Sequence, residues 1–254
     1  MKTLIQTAKN VSQKVPVVRD VYAFFQEIYD RHRLSRKDPD EVFEEIYHRN
    51  TWHGQVSISG RGSDPDQTGV LVDRLSSLLK ELDVSTMLDI PCGDFQWMST
   101  VDLDDVDYVG ADIVRDLVEK NREHYAGEDV RFEHLNLIED PLPEVDLVFC
   151  RDCLVHFSFR DCFRALENIC ESGSTYLLTT TYPNRRPNED IETGQWRPLN
   201  LSARPFGLPE PMVCFNEQCT EREGAYRDKS MGLWRIADIE NSLPEDPELL
   251  LGEA

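Results

Sequence analysis

Thr86-Met87-Leu88-Asp89-Ile90-Pro91-Cys92-Gly93-Asp94-Phe95 is the stretch on which the reading of this chain turns. Its apolar run, Met87 to Ile90, has the length and composition of a buried strand, with an acid at its end and a tight turn behind it. A glycine in such a turn lets the backbone approach a bound molecule, because no Cβ stands in the way. In open α/β sheets, ligands of nucleotide type bind just outside the carboxyl ends of the strands. A strand that ends in acid and glycine is therefore a candidate binding edge.

Outward from this stretch, strand and helix patterns alternate. Strand-like runs fall at 107–113 (DYVGADI), 130–135, 145–150 and 175–182, with two more at 212–215 and 231–236. Apolar residues recur at helical spacing over 70–82, 114–125 and 158–171. Such alternation predicts an α/β fold: a mostly parallel, seven-stranded sheet with helices on both faces. Upstream, Val17, Val21, Tyr22, Phe25 and Ile28 mark a helix over 17–33, with Pro16 at its start. Val42, Phe43, Ile46 and Tyr47 mark another over 40–49, capped by Asp38 and followed in by Pro39. These two helices form an N-terminal helical extension that either covers the core or meets a partner, and covering is preferred. Residues 50–69 are polar and glycine-rich, which predicts a loop. The chain then divides into an extension with its loop (1–69), a core (70–242) and an acidic tail (243–254).

Composition excludes several classes. The 254 residues, 40% of them hydrophobic, suffice for one substantial core. The net charge of -21 and the lack of any basic run argue against nucleic acid and anionic membranes as partners. No apolar run is long enough for a transmembrane segment or a signal peptide, which reads as a cytoplasmic protein. The acid load suits solubility at high ionic strength. The seven cysteines, among them Cys92, Cys150 and Cys214 in apolar contexts, read as reduced thiols packed as small hydrophobes. Cys150 and Cys153 have a zinc-ligand spacing, but they interleave with a core strand, so no metal is expected.

With these elements in place, Asp89 to Gly93 resembles the first motif of class I methyltransferases, which have a Rossmann-like fold and use S-adenosylmethionine (SAM). Pro91 and Phe95 stand where that motif has further glycines. This departure tells more against a dinucleotide than against SAM, which has no pyrophosphate to be cradled by backbone N–H groups. The resemblance continues in order. Asp112, with Ile113, ends the second strand, where the family holds both ribose hydroxyls; a carboxylate accepts two hydrogen bonds from a vicinal diol. Asn136, with Leu137, ends the third strand, where the family has an acid against the adenine amine. Arg151 and the segment to His156 follow the fourth strand, under the methionine end of SAM and beside the acceptor. The resemblance implies Asp89, Pro91, Cys92, Gly93, Phe95, Asp112, Ile113, Asn136, Leu137 and Arg151 as cofactor contacts. The loop from Trp52 to Ser63 also resembles one in bacterial methyltransferase-like proteins of unknown substrate. Its aromatic anchor, glycines and hydroxyls read as a lid, with Trp52 on the cofactor.

An acceptor hydroxyl would need a base, and His156 is the first candidate, because its ordinary pKa lies near neutrality; Asp152 is the second. The stretch 182–211 is basic in an acidic protein. Arg185, Arg186 and Arg197 suit an anionic or sugar-acid group and Trp196 could stack on a ring, so the expected acceptor is a small polar molecule. A homo-oligomer remains compatible with the sequence. The competing reading is a degenerate methyltransferase fold serving as a scaffold or partner subunit. Retention of Asp89, Gly93 and Asp112 together speaks against it, since buried carboxylates without a ligand are costly.

Overall fold

The computed structural model describes residues 31–52, 56–244 and 246–247. The chain forms two compact units, 1–38 and 39–254. In the first, residues 31–34 are helical, and most of the helix expected over 17–33 lies outside the described residues. The second unit holds everything below, so residues 39–69 share a compact unit with the core.

Seven strands form one sheet: β1 (Thr86–Asp89), β2 (Asp107–Asp112), β3 (Val130–His134), β4 (Leu147–Cys150), β5 (Tyr176–Thr181), β6 (Val213–Asn216) and β7 (Ser230–Arg235). Their order is β3-β2-β1-β4-β5-β7-β6. The first five run parallel, and β7 is antiparallel to both β5 and β6. The chain therefore leaves β1 in one direction, through β2 to β3, and returns to β4 on the other side of β1. That reversal between β1 and β4 opens a crevice at the carboxyl ends of the strands.

The described helices of this unit include α1 (Pro39–His48), α2 (Pro65–Glu81), α3 (Arg115–Tyr125), α4 (Phe159–Glu171) and α5 (Ile236–Glu240). The expected loop over 50–69 is shorter than its composition implied, because α2 starts at Pro65 behind Asp64. Proline there has no N–H to lose and a φ suited to a first turn. The polar first turn, PDQTG, hid this start from apolar periodicity. Ser158 caps α4 by accepting from the Asp161 N–H at 3.1 Å.

Residues of both parities along the central strands are buried: Met87 and Leu88, Val148 and Phe149, Leu177 and Leu178. Cover on both faces is what such strands require. On one face, Leu71, Leu75, Leu78 and Leu79 of α2 join Met87, Tyr108, Phe149 and Leu178 in a single cluster. Each such side chain contributes roughly 2 kcal/mol relative to exposure. Gly110 in β2 belongs to this packing: a Cβ there would lie 2.7 Å from the Phe132 ring. The helices α4 and α5 pack on each other, and α5 packs on β7. Cys92, Cys150, Cys153, Cys162 and Cys219 are buried thiols, whereas Cys214 is exposed on edge strand β6, contrary to its apolar sequence context. Among the described residues, no helix is long and apolar enough to cross a membrane.

Candidate active site

A cavity opens at the ends of β1, β2 and β4. Asp89, Pro91, Cys92 and Gly93 line one wall. Asp89 is buried, and the Tyr108 hydroxyl donates to its Oδ2 at 2.5 Å. Burial pushes the Asp89 carboxyl up to about 8, and nearby Asp112 adds to the effect, against the Tyr108 bond and Arg151. The turn behind it is fixed from two sides. Gly93 N–H donates to Asp112 Oδ2 at 3.1 Å, and Asn121 Nδ2 donates to the Gly93 carbonyl at 2.7 Å. Gly93 has φ +57°, the left-handed region that disfavours a side chain, and an added Cβ would lie 2.3 Å from Ser59 Oγ.

Asp112 stands at the next strand end with each oxygen held by one backbone N–H: Gly93 on Oδ2, and Val114 on Oδ1 at 2.9 Å. Burial raises its carboxyl to about 6, against those N–H bonds. Each oxygen keeps a lone pair for a further donor, so the pair can meet a vicinal diol. Ile113 lines the cavity beside it. Phe95, expected at the cofactor, is not in the cavity wall. Its φ of +58° turns the ring into the core, where it packs 5.1 Å from Tyr108 and Phe132.

Asn136 and Leu137 line the far end. The Asn136 Oδ1 accepts from Ile138 N–H at 2.9 Å, and its Nδ2 donates to Asp40 Oδ2 at 2.9 Å. It therefore acts as a turn residue that ties α1 to the sheet. Two further bonds hold α1: Arg115 N–H donates to Glu44 Oε1 at 3.0 Å, and Lys120 Nζ donates to the Tyr47 hydroxyl at 2.7 Å. Asp40, Glu44 and Tyr47 fall on one helical face at spacings of four and three. Docked in this way, α1 places Phe43 and Tyr47 in the cavity wall. The sequence reading had these residues covering the core. Their spacing of four was the signal that they share a face, but nothing local showed what that face meets.

The loop ahead of α2 closes over the glycine turn. Ile58 N–H donates to Asp94 Oδ2 at 3.0 Å, and Arg151 Nη2 donates to the Gly62 carbonyl at 2.8 Å. Ser59, Ser63 and Trp52 line the cavity, and the Trp52 ring stands 5.0 Å from that of His156. Residues 53–55 of this loop lie outside the described residues.

At the end of β4, Arg151 and Asp152 enter a charged cluster. Arg151 Nη2 donates to Glu217 Oε2 at 2.7 Å, and Lys229 Nζ to Asp152 Oδ2 at 2.5 Å. Burial pushes the Asp152 carboxyl up, but Lys229 and Arg151 outweigh it and hold it down to about 2. Asp152 is thus a fixed anion and a poor proton acceptor. His156 Nδ1 donates to the Gln195 carbonyl at 2.9 Å, which leaves Nε2 as the bare nitrogen of the neutral ring. Burial pulls the imidazole down to about 4, against that bond and Asp152. It is neutral at physiological pH and weakly basic.

The four residues read as the acceptor side do not line the cavity. Arg197 is buried, donating to the Leu154 and Phe157 carbonyls at 2.8 Å and to Glu189 O at 3.1 Å. Arg185 is paired with Asp228 at 2.9 Å, Trp196 packs 4.7 Å from the Tyr226 ring, and Arg186 is exposed. These contacts fasten the 182–211 segment. Trp97, Lys229, Glu217 and Asp40 were missed in the sequence, because each depends on pairing between distant segments.

No protein-family model matches the chain, and no curated protein matches its sequence. Many solved structures share its architecture. N-methyltransferase NodS from Bradyrhizobium japonicum WM9 aligns at a TM-score of 0.51 and 12% identity, covering 68% of this chain and 98% of that one. Human N-acetylserotonin methyltransferase, solved with SAM, aligns at 0.49 and 15% identity, over 85% and 67% of the two chains. Magnesium protoporphyrin IX methyltransferase from Synechocystis PCC 6803, also with SAM, aligns at 0.47 and 15%, over 61% and 81%. The fold is the Rossmann-like one of class I SAM-dependent methyltransferases.

Proposed function

We propose that this chain binds SAM in the cavity at the β1/β4 crevice and transfers its methyl group to a small acceptor. The observation that carries the proposal is the union of Asp89, Gly93 and Asp112. They come from two strand ends, are joined by the Gly93–Asp112 bond, and face one cavity. The residues fit the group by their chemistry. Asp112 has lone pairs free for the ribose hydroxyls, Ile113 and Leu137 offer apolar surface to a flat base, and Gly93 leaves the backbone open. Asp89 adds a buried carboxyl to the same wall, where it could face the cofactor's positive charge. When bound, SAM supplies an activated methyl on a cationic sulfur.

The chain's own contribution is binding, alignment and exclusion of water. Phe43, Tyr47 and Trp52 wall the cavity, and the Ser57–Ser63 segment closes over the glycine turn. Alignment of two reactants supplies a large share of the rate in such a transfer. His156 offers a neutral nitrogen that can receive a hydrogen bond. The scaffold reading has no observation in its favour. Two buried carboxyls whose pKa values are raised by desolvation oppose folding unless a ligand compensates, and such groups concentrate at functional sites.

Calorimetric titration with SAM and S-adenosylhomocysteine tests the proposal. We expect saturable binding of both. Asp112→Ala should weaken it roughly 100-fold, as two hydrogen bonds to a charged acceptor are lost at about 1.5 kcal/mol each. A folded wild-type protein that binds neither compound would return the reading to a scaffold.

A further inference from the structure

The acceptor is the open half of this function, and the cavity's charge bears on it. The ends of β1, β2 and β3 present Asp89 to Gly93, Asp112 and Asn136 to the cofactor. The rest of the wall, at the end of β4 and under the loop, carries Asp152, His156, Trp52 and Trp97. Among the described residues of the wall, Arg151 has the only positive charge, and its guanidinium is engaged by Glu217, the Gly62 carbonyl and the Trp97 ring. Lys229 and Glu217 sit behind it, buried and outside the wall. An anionic acceptor would meet no free cation.

Asp152 presents the opposite situation. Its Oδ2 is taken by Lys229, but Oδ1 has only the Thr180 hydroxyl, at 3.5 Å, and 27% of the side chain remains accessible. Its charge is fixed by two cations and does not depend on a ligand. Aromatic rings line the same cavity: Trp97 has the Arg151 guanidinium over its face, 5.5 Å from the centroid, and Trp52 lies 5.0 Å from the His156 ring. A fixed anion with aromatic faces is the chemistry that recognises an organic cation. The chain's charge of -21 works in the same direction at long range.

We propose that the β4 side of the cavity binds the ammonium group of an amine acceptor, with Asp152 supplying the charge and Trp52 the aromatic surface. This rests on the methyltransferase reading for the word acceptor, but not for the binding itself. The class also suits the groups present. An amine attacks through its own lone pair once it has shed a proton to solvent, whereas a hydroxyl would need a stronger base than His156 or Asp152 provides.

The test uses three probes of similar size on the wild-type protein: benzyltrimethylammonium, benzyl alcohol and benzoate. Each is titrated calorimetrically with and without saturating S-adenosylhomocysteine, at low and high salt. We expect one-to-one binding of the ammonium, about tenfold or more tighter than the alcohol, with benzoate weakest. The preference should survive high salt and shrink several-fold in Asp152→Asn. Equal affinities, or benzoate tightest, would overturn the proposal. So would ammonium uptake in many equivalents that salt abolishes, which is adsorption to the acidic surface. The wild-type comparison stands even if the variant fails to fold. Absence of S-adenosylhomocysteine binding with the ammonium preference intact would remove the methyltransferase reading and leave the ammonium site standing.

Discussion

Asp112 is a buried carboxyl whose ionised form is the one that can hold a diol, and this gives the site a pH dependence of definite sign. Its value in the folded protein is raised to about 6, so the anion predominates above neutrality and is lost as pH falls through 6. Affinity for S-adenosylhomocysteine should therefore fall as pH drops below about 6. Stability without ligand runs the other way. Asp89 and Asp112 both titrate higher folded than unfolded, so their contribution is present below the ordinary carboxylate range and is lost as pH rises through 6 and 8. Asp89→Asn removes that loss, and its melting temperature should gain on wild type as pH rises from about 5 to about 9. A constant difference across that range would contradict the burial argument. Gly93→Ala should weaken ligand binding sharply and destabilise the fold by about 1–2 kcal/mol, through left-handed strain and collision with Ser59. Thermal unfolding alongside titration reads both effects.

At the scale of elements, two pieces ahead of the sheet complete the cavity. The Ser57–Ser63 segment is anchored on the glycine turn by Asp94, and on β4 by Arg151. Asp94→Ala should raise hydrogen exchange across 57–63 while leaving β1 and β4 protected. Uniform loosening of the sheet would show that the anchor is not local. The other piece, α1, was legible as a helix from Val42, Phe43, Ile46 and Tyr47, but its place at the cavity was not. That place depends on Asp40, Glu44 and Tyr47 meeting Asn136, Arg115 and Lys120, partners far away in sequence. The strands were legible because buried parallel strands read as short apolar runs, which also put Asp89, Gly93 and Asp112 at or just past strand ends. Phe95 was misplaced because a left-handed turn reverses its direction, which a residue name does not announce. The arginines of 182–211 were misassigned for a related reason. Local charge contrast does not show whether a guanidinium faces solvent, a ligand or, as with Arg197, a set of backbone carbonyls.

At the scale of the whole molecule, the chain carries a net charge of -21. With 48 acidic against 27 basic residues, self-repulsion opposes the compact state at low ionic strength. Added salt screens it over a Debye length of roughly 10 Å at 0.1 M, so the melting temperature should rise as sodium chloride is added and level off below about 1 M. A melting temperature independent of salt would mean that the acids are locally paired. The same field should speed association of cationic ligands at low salt, an effect that disappears as salt is added. The sheet order is the other property of the whole: its reversal beside β1 brings three strand ends to a single crevice.

The most direct test of the central claim is a crystal structure of the protein grown with S-adenosylhomocysteine. We expect density in the crevice, with the ribose hydroxyls on Asp112, the amino-acid end along Cys92 and Gly93, and the base between Ile113 and Leu137. Density at another site, or a cavity without ligand at saturating concentration, would contradict it.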